Sequence, residues 1–287
     1  MSASDPQLLV STDWLADRLD APDLRVLDGS YHLPDAKRDP RADWAAAHIP
    51  GAQFFDIDEI ADGRSPLPHM APPVEKFVSR VRAMGIGEGH RVVVYDTQGL
   101  FSAARVWWMF RLFGHKDVAV LDGGLPKWLA EGRPTDDAPP PRRDRHFVAR
   151  REAGLVRDVT QVAAAMKLGP EQIVDARSPG RFEGAEPEPR AGLRSGHIPG
   201  SLNLPYKSLL NPDGTMKAPP ALEAAFAEAG VDPDRPVIAT CGSGVTACVI
   251  ALAMERLGRR RWSVYDGSWS EWGAYPDLAV ETGPARR

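Results

Sequence analysis

The tetrapeptide His48-Ile49-Pro50-Gly51 recurs 149 residues later as His197-Ile198-Pro199-Gly200. A second signature follows each copy. It reads Val120-Leu121-Asp122-Gly123-Gly124 in the first half and, 144 residues further on, Val264-Tyr265-Asp266-Gly267-Ser268 in the second. Loops readily absorb the small difference between the two offsets. Because a repeat of this period has the size of a domain, the chain contains two copies of one domain and is not a solenoid of short repeats.

Each half alternates short apolar runs, rich in β-branched residues, with segments of helical periodicity. The predicted strands are Leu24–Leu27, Val92–Tyr95, Val118–Leu121, Ile173–Val174, Val237–Thr240 and Ser263–Tyr265. The predicted helices are Val74–Met84, Ser102–Phe113, Val159–Leu168, Leu222–Ala229 and Val245–Leu257. Buried strands that alternate with helices are typical of a parallel sheet. The sequence therefore predicts an α/β fold of two tandem domains, each a parallel sheet flanked by helices on both faces.

Glycine and proline punctuate this pattern. A glycine directly follows each predicted helix or ends it, and we expect these glycines to adopt positive φ: Gly85, Gly114, Gly169, Gly230 and Gly258. A charged segment containing Pro139-Pro140-Pro141 separates the halves and is typical of a semi-rigid linker. We therefore expect a first domain at residues 1–135, a linker at 136–157 and a second domain at 158–287.

Composition excludes several classes of protein. With 43% hydrophobic and 26% charged residues, the chain of 287 residues has the balance of a soluble globular protein. Its 35 basic and 39 acidic side chains give a net charge of −4, so nucleic acid is not an expected partner. No apolar run is long enough to cross a membrane, and the charged first residues do not resemble a secretory signal. We expect a cytoplasmic protein that has no membrane partner.

The chain has two cysteines, Cys241 and Cys248, which exclude a disulfide framework and a zinc site built on cysteines. We expect no metal and no organic cofactor. Cys241 directly follows a predicted strand, and a loop of small residues leads from it into a helix. Glycines in such a loop let backbone N–H groups converge, and a helix N-terminus favours a thiolate over a thiol. These features predict a reactive Cys241, whereas Cys248 lies inside a helical pattern and is predicted to be a core residue.

At this loop the sequence resembles the rhodanese-like sulfurtransferases. The tandem halves, the run Gly196–Gly200 and the position of Cys241 are similar to those of two-domain members, whose first domain has lost the cysteine; here Asp96 stands at that position. Within the family, Cys241-Gly242-Ser243-Gly244-Val245-Thr246 looks like the loop of the 3-mercaptopyruvate sulfurtransferases. Thiosulfate-preferring members carry charged residues at the two positions after the cysteine. The resemblance implies that the loop binds substrate sulfur through Gly242, Gly244, Val245, Thr246 and Ala247.

The resemblance extends to further candidate residues. Arg181 and Arg190 match the family's ligands for the substrate carboxylate, which planar guanidinium groups bind at two points. Arg190 precedes His197 by the same interval as Arg41 precedes His48, so a role in the fold stays open for it. The resemblance also implies a Ser–His–Asp proton relay formed by Ser243, His69 and Asp58. Because they occur in both halves, His48, His197, Asp28 and Asp175 are predicted to be structural, and an ion pair within the domain is predicted for Arg177.

These expectations combine into a sulfurtransferase that moves the sulfur of 3-mercaptopyruvate through a Cys241 persulfide to a thioredoxin-like dithiol or to cyanide, with release of pyruvate. The main alternative is a thiosulfate sulfurtransferase. A phosphatase of the related Cdc25-like fold needs an arginine six residues after its cysteine, where this chain has Ala247. A silent binding module is the last alternative, although the presence of Cys241 argues against it.

Overall fold

The computed structural model describes residues 7–140 and 144–285, and these fall into two compact units. Unit 1 takes its described residues from Met1–Gly63, Ala71–Glu152 and Pro212–Thr215. Unit 2 takes its described residues from Arg64–Met70, Ala153–Asn211 and Met216–Arg287. Each unit therefore includes one short segment from the other half of the sequence. The predicted boundaries of the domains stay a prediction, and residues 141–143 of the predicted linker lie outside the described residues.

Unit 1 contains a parallel five-stranded sheet in the order β1-β5-β4-β2-β3. Its strands are β1 Leu9–Val10, β2 Leu24–Asp28, β3 Gln53–Phe54, β4 Arg91–Tyr95 and β5 Val118–Leu121. Its helices are α1 Thr12–Ala16, α2 Pro40–Ala46, α3 Ile57–Ile60, α4 Val74–Ala83, α5 Ala103–Leu112 and α6 Gly124–Ala130, with a 3-10 helix at Pro34–Ala36. Helices α1 and α6 pack on one face of the sheet through Leu15 and Trp128. Helix α5 packs on the other face, where Val106 lies near Val94.

Unit 2 repeats this arrangement with a parallel sheet in the order β6-β10-β9-β7-β8. Its strands are β6 Val156–Arg157, β7 Gln172–Asp175, β8 Leu202–Asn203, β9 Val237–Thr240 and β10 Trp262–Tyr265. Its helices are α7 Val159–Leu168, α8 Pro179–Glu183, α9 Pro219–Glu228, α10 Ala247–Arg256 and α11 Ser268–Trp272, with 3-10 helices at Ala153–Leu155 and Tyr206–Leu209. Helices α7 and α11 cover one face through Val162 and Trp269. Helix α10 packs against β9 and β10.

The predicted fold class is confirmed, and all six predicted strands are present within one residue at each end. The sequence pattern missed β1, β3, β6 and β8, because two-residue strands are too short to show a period. It also started α9 too late: Pro219 and Pro220 occupy the first turn, where a missing N–H group costs no hydrogen bond. In the part of the chain that the structure describes, no helix is long and apolar enough to cross a membrane.

One glycine prediction is wrong. Gly85, Gly114, Gly230 and Gly258 have positive φ as expected, but Gly169 has φ −61° and ψ 116°. Pro170 follows it, and a proline disfavours helical and left-handed conformations of the residue before it. The chain therefore leaves helix α7 in an extended conformation.

Matching hydrogen bonds in both units confirm the structural role predicted for the repeated histidines. His48 exchanges backbone hydrogen bonds with Asp136 at 2.9 and 2.8 Å, and His197 exchanges them with Glu281 at 2.8 and 3.0 Å. Both imidazoles are buried, and each donates from Nδ1 to a carbonyl, that of Trp44 at 2.7 Å for His48 and that of Phe182 at 2.8 Å for His197. These histidines therefore fasten the loop before a strand in each sheet.

Candidate active site

The loop after β9 places Cys241 at the carboxyl end of the unit 2 sheet, where α/β proteins bind ligands. The residue is 2% exposed. Its carbonyl accepts a hydrogen bond from Trp269 N at 3.0 Å, and the carbonyl of Gly242 accepts from Ser270 N at 2.9 Å and from Ser270 Oγ at 2.7 Å. The start of helix α11 therefore holds both carbonyls, which leaves the amides of the loop on the opposite side of the peptide planes.

Ser268 holds the backbone of Cys241 through a hydrogen bond. This residue was not identified from the sequence. Its Oγ accepts a hydrogen bond from Cys241 N at 3.2 Å and donates one to the carbonyl of Tyr265 at 2.8 Å. The residue has φ +50°, a conformation that L-residues rarely adopt. The repeat offers a signal for it, since Gly124 stands 144 residues earlier with φ +55°.

The loop between Cys241 and α10 forms a cluster of backbone donors. Within the described residues, no protein acceptor takes a hydrogen bond from the backbone N–H groups of four loop residues, Ser243, Val245, Thr246 and Ala247. The equivalent loop of unit 1 shows what such amides hold. There the Asp96 carboxylate accepts hydrogen bonds from three amides, those of Gln98 at 2.8 Å, Phe101 at 2.7 Å and Ala103 at 2.8 Å. The geometry of the fold at this position therefore suits a negatively charged group at the start of a helix.

Arg181 lies against this loop. It belongs to helix α8, and its Nη2 is 2.8 Å from the point where a Cβ on Gly242 would stand, so a side chain at position 242 and this guanidinium would compete for space. Its Nη2 donates to Glu188 Oε2 at 2.6 Å and its Nε to Glu188 Oε1 at 3.2 Å. The structure thus brings a partly exposed cation next to the loop that carries Cys241.

Arg190 and His69 form a second pair in unit 2. Arg190 Nη2 lies 2.9 Å from His69 Nε2, although 121 residues separate them in the sequence. His69 is 4% exposed and has φ +62°. The pairing is consistent with the placement of Arg64–Met70 in unit 2.

The structure places the members of the predicted relay as follows. Ser243 is buried in the loop two residues after Cys241, and His69 lies beside Arg190. Asp58 lies in unit 1, exposed in the first turn of α3. The Ser243–His69–Asp58 relay stays a prediction.

The ion pair predicted for Arg177 within its own domain is confirmed, and its partner is Asp175. Arg177 contacts Asp175 through Nη2–Oδ2 at 2.7 Å and Nε–Oδ2 at 3.0 Å, and its guanidinium lies 4.5 Å from the centre of the Trp269 ring. Burial alone lowers the pKa of Arg177, but Asp175 and Glu188 outweigh burial and raise it. Sequence reasoning missed Glu188, because its run Glu186-Pro187-Glu188-Pro189 has the composition of an exposed loop.

The remaining donor sets do not suggest a metal centre. In residues 7–140 and 144–285, no group of three or more histidine, cysteine, aspartate or glutamate side chains is placed to hold a metal ion.

Cys248 is buried in α10, as predicted, and its Sγ lies 3.2 Å from the carbonyl of Gly244.

Comparisons with known proteins agree with this architecture. Residues 11–131 and 158–275 match the family described as rhodanese-like domain. The chain is 43% identical over 291 residues to the 3-mercaptopyruvate sulfurtransferase of Homo sapiens, covering 98% of each chain. It is 45% identical over 284 residues to the thiosulfate sulfurtransferase of Cricetulus griseus, covering 96% of this chain and 95% of that one. The crystal structure of SseA from Escherichia coli, described as a 3-mercaptopyruvate sulfotransferase, has a TM-score of 0.84 and 39% identity and covers 92% of this chain and 100% of its own.

Proposed function

The chain belongs to the rhodanese-like family and is a sulfur-transferring enzyme, and on that premise we propose that its sulfur donor is 3-mercaptopyruvate. Overall identity does not decide the donor, because relatives named for either donor are about equally similar. The observation that carries the proposal is the loop after Cys241. Gly242 and Ser243 add no charge there, and Arg181 stands within 2.8 Å of the position that a side chain at 242 would take.

The reaction proceeds through a persulfide. The Cys241 thiolate attacks the sulfur of the donor and forms an S–S bond, while the C–S bond breaks and its electron pair passes to the organic fragment. That fragment leaves as the enolate of pyruvate and takes up one proton to become pyruvate. The loop amides, among them those of Val245 and Ala247, stabilise the negative charge on sulfur before and after transfer.

Arginine side chains hold the donor's carboxylate in this proposal. Arg181 and Arg190 supply planar donors, the geometry that a carboxylate prefers. Ser243, His69 and Asp58 polarise the donor carbonyl or move the proton that the enolate needs. The outer sulfur then passes to a thioredoxin-like dithiol or to cyanide, and the Cys241 thiolate is regenerated.

Two measurements test this function. The first compares kcat/KM for 3-mercaptopyruvate and thiosulfate with a dithiol acceptor. We expect 3-mercaptopyruvate to be clearly preferred, and a preference for thiosulfate would show that the donor is misassigned. The second is the mass of the intact protein after exposure to the donor, which we expect to rise by about 32 Da, one sulfur atom.

Matched serine variants identify the acceptor cysteine. Cys241→Ser removes the mass increase and the turnover. Cys248→Ser keeps both, because Cys248 points its thiol at the carbonyl of Gly244 and a hydroxyl can replace it there. A native protein without the adduct would support the silent binding module instead.

A further inference from the structure

Glu188 joins two arginines of unit 2 through one carboxylate. Its Oε1 accepts from Arg177 Nη1 at 2.7 Å, and its Oε2 accepts from Arg181 Nη2 at 2.6 Å. The side chain of Glu188 is 2% exposed and that of Arg177 is fully buried, whereas the side chain of Arg181 is 19% exposed. The carboxylate therefore links a buried cation to the partly exposed cation beside the Cys241 loop.

The charges of this cluster cancel. Asp175 and Glu188 contribute two negative charges, and Arg177 and Arg181 contribute two positive charges. Because these ion pairs are largely buried, solvent and salt screen the attraction between their charges only weakly. Arg181 consequently presents its N–H groups toward the loop with much of its charge already balanced by Glu188.

Charge balance matters because the two candidate donors differ in charge. The carboxylate of 3-mercaptopyruvate carries one negative charge at neutral pH, and thiosulfate carries two. An arginine that is paired with a carboxylate of the protein still donates hydrogen bonds to the carboxylate of a donor. It attracts a dianion much less than an unpaired arginine does. The cluster therefore lowers the advantage of the more highly charged donor.

We propose that Glu188 is a specificity-determining residue, whose carboxylate balances the charge of Arg181 beside the Cys241 loop and so favours a donor with one negative charge over a donor with two. This inference rests on the proposed function, because it takes Arg181 as a ligand of the donor. Glu188 acts through Arg181 and is a positioning residue that does not touch the donor.

The test is the quotient of kcat/KM for thiosulfate over kcat/KM for 3-mercaptopyruvate, measured on one preparation of each variant. The concentration of folded enzyme cancels in this quotient, so a variant that only reduces the amount of folded protein leaves it unchanged. We expect Glu188→Gln to raise the quotient about tenfold, since the amide removes the negative charge and keeps one of the two acceptor oxygens. Arg177 retains Asp175 and the carbonyl of Gly196 as partners in this variant.

Glu186→Gln is the matched control. Glu186 lies two residues away on the same loop, is exposed and accepts a hydrogen bond from Ser178 Oγ at 3.1 Å, whereas Arg181 donates to Glu188. We expect its quotient to equal that of the native protein. An unchanged or lower quotient in folded Glu188→Gln overturns the inference, and so does an equal rise in Glu186→Gln.

If Glu188→Gln does not fold, Glu188→Asp decides. The shorter side chain draws the carboxylate away from Arg181, and we expect a rise of about threefold, with no rise overturning the inference. The proposed function has its own test. It is wrong if the quotient of the native protein exceeds one, which means that thiosulfate is the preferred donor. In that case the effect of Glu188 on the quotient still tests the charge balance.

Discussion

Arg190 Nη2 lies 2.9 Å from His69 Nε2, and this contact defines the state of the imidazole. A guanidinium can only donate hydrogen bonds, so Nε2 of His69 is the acceptor and its ring proton lies on Nδ1. His69 therefore meets Arg190 as a neutral imidazole. Under the proposed function, a donor carboxylate that binds Arg190 would compete with this contact and would release Nε2 for proton transfer.

The two arginines are expected to differ in kinetics. Arg181→Ala removes carboxylate binding in the ground state and the transition state alike, so it mainly raises KM, by about tenfold to a hundredfold. Arg190→Ala also removes the partner that orients His69, so it raises KM and lowers kcat as well. Steady-state kinetics with 3-mercaptopyruvate checks the split. An unchanged KM in Arg181→Ala contradicts the carboxylate assignment.

Asp96 and Cys241 stand at equivalent positions but are expected to differ in their contribution to stability. Asp96→Ala leaves the amides of Gln98, Phe101 and Ala103 without their acceptor, the last two of them buried, which costs about 3 kcal/mol. Cys241→Ala removes no such acceptor and costs about 1 kcal/mol or less. Urea-induced unfolding measures both. Equal destabilisation would show that the carboxylate does not organise its loop.

Ser268 combines a strained backbone with two useful hydrogen bonds. Ser268→Ala keeps φ near +50° and loses both hydrogen bonds, whereas Ser268→Gly loses them but relieves the strain. We expect the glycine variant to be more stable than the alanine variant by about 1 kcal/mol. The midpoints of thermal unfolding compare them. The reverse order would mean that the backbone at this position carries no strain.

Asp28 should make stability depend on pH. Burial first, and the nearby Asp96 carboxylate in addition, raise the pKa of Asp28 to about 6, although hydrogen bonds from Ser30 oppose the shift. Since the unfolded value is lower, the folded protein holds this proton more tightly. The resulting stabilisation is complete below about pH 4 and is lost as the pH rises through 6.

Asp28→Asn mimics the protonated carboxyl and is expected to stabilise the protein at pH 7.5 by about 2 kcal/mol, with little effect at pH 4. Asp175→Asn is the control at the equivalent position. It removes a charge that pairs with buried Arg177, so it destabilises at pH 7.5. Chemical denaturation at both pH values measures the difference, and a stabilisation by Asp28→Asn that is the same at both would disprove the titration.

Much of the fold was predictable because its signals are local. The repeat, the apolar strands and the glycines that end helices all act through neighbouring residues or through a fixed period. The two-residue edge strands were not predictable, since pairing with a central strand creates them. The extended conformation of Gly169 was predictable, because Pro170 follows it and a proline restricts the residue before it to extended conformations.

The sequence by itself determined that the chain contains two copies of an α/β domain and that Cys241 directly follows a strand of the second copy, because hydrophobic patterning locates strands and loops along the chain. Only the tertiary structure decided which side chains meet. Glu188 balances Arg181, and His69 accepts from Arg190 across 121 residues of sequence. Such pairs depend on distances in space and on burial, which weakens solvent screening, and neither quantity is encoded in the spacing of residues along the chain.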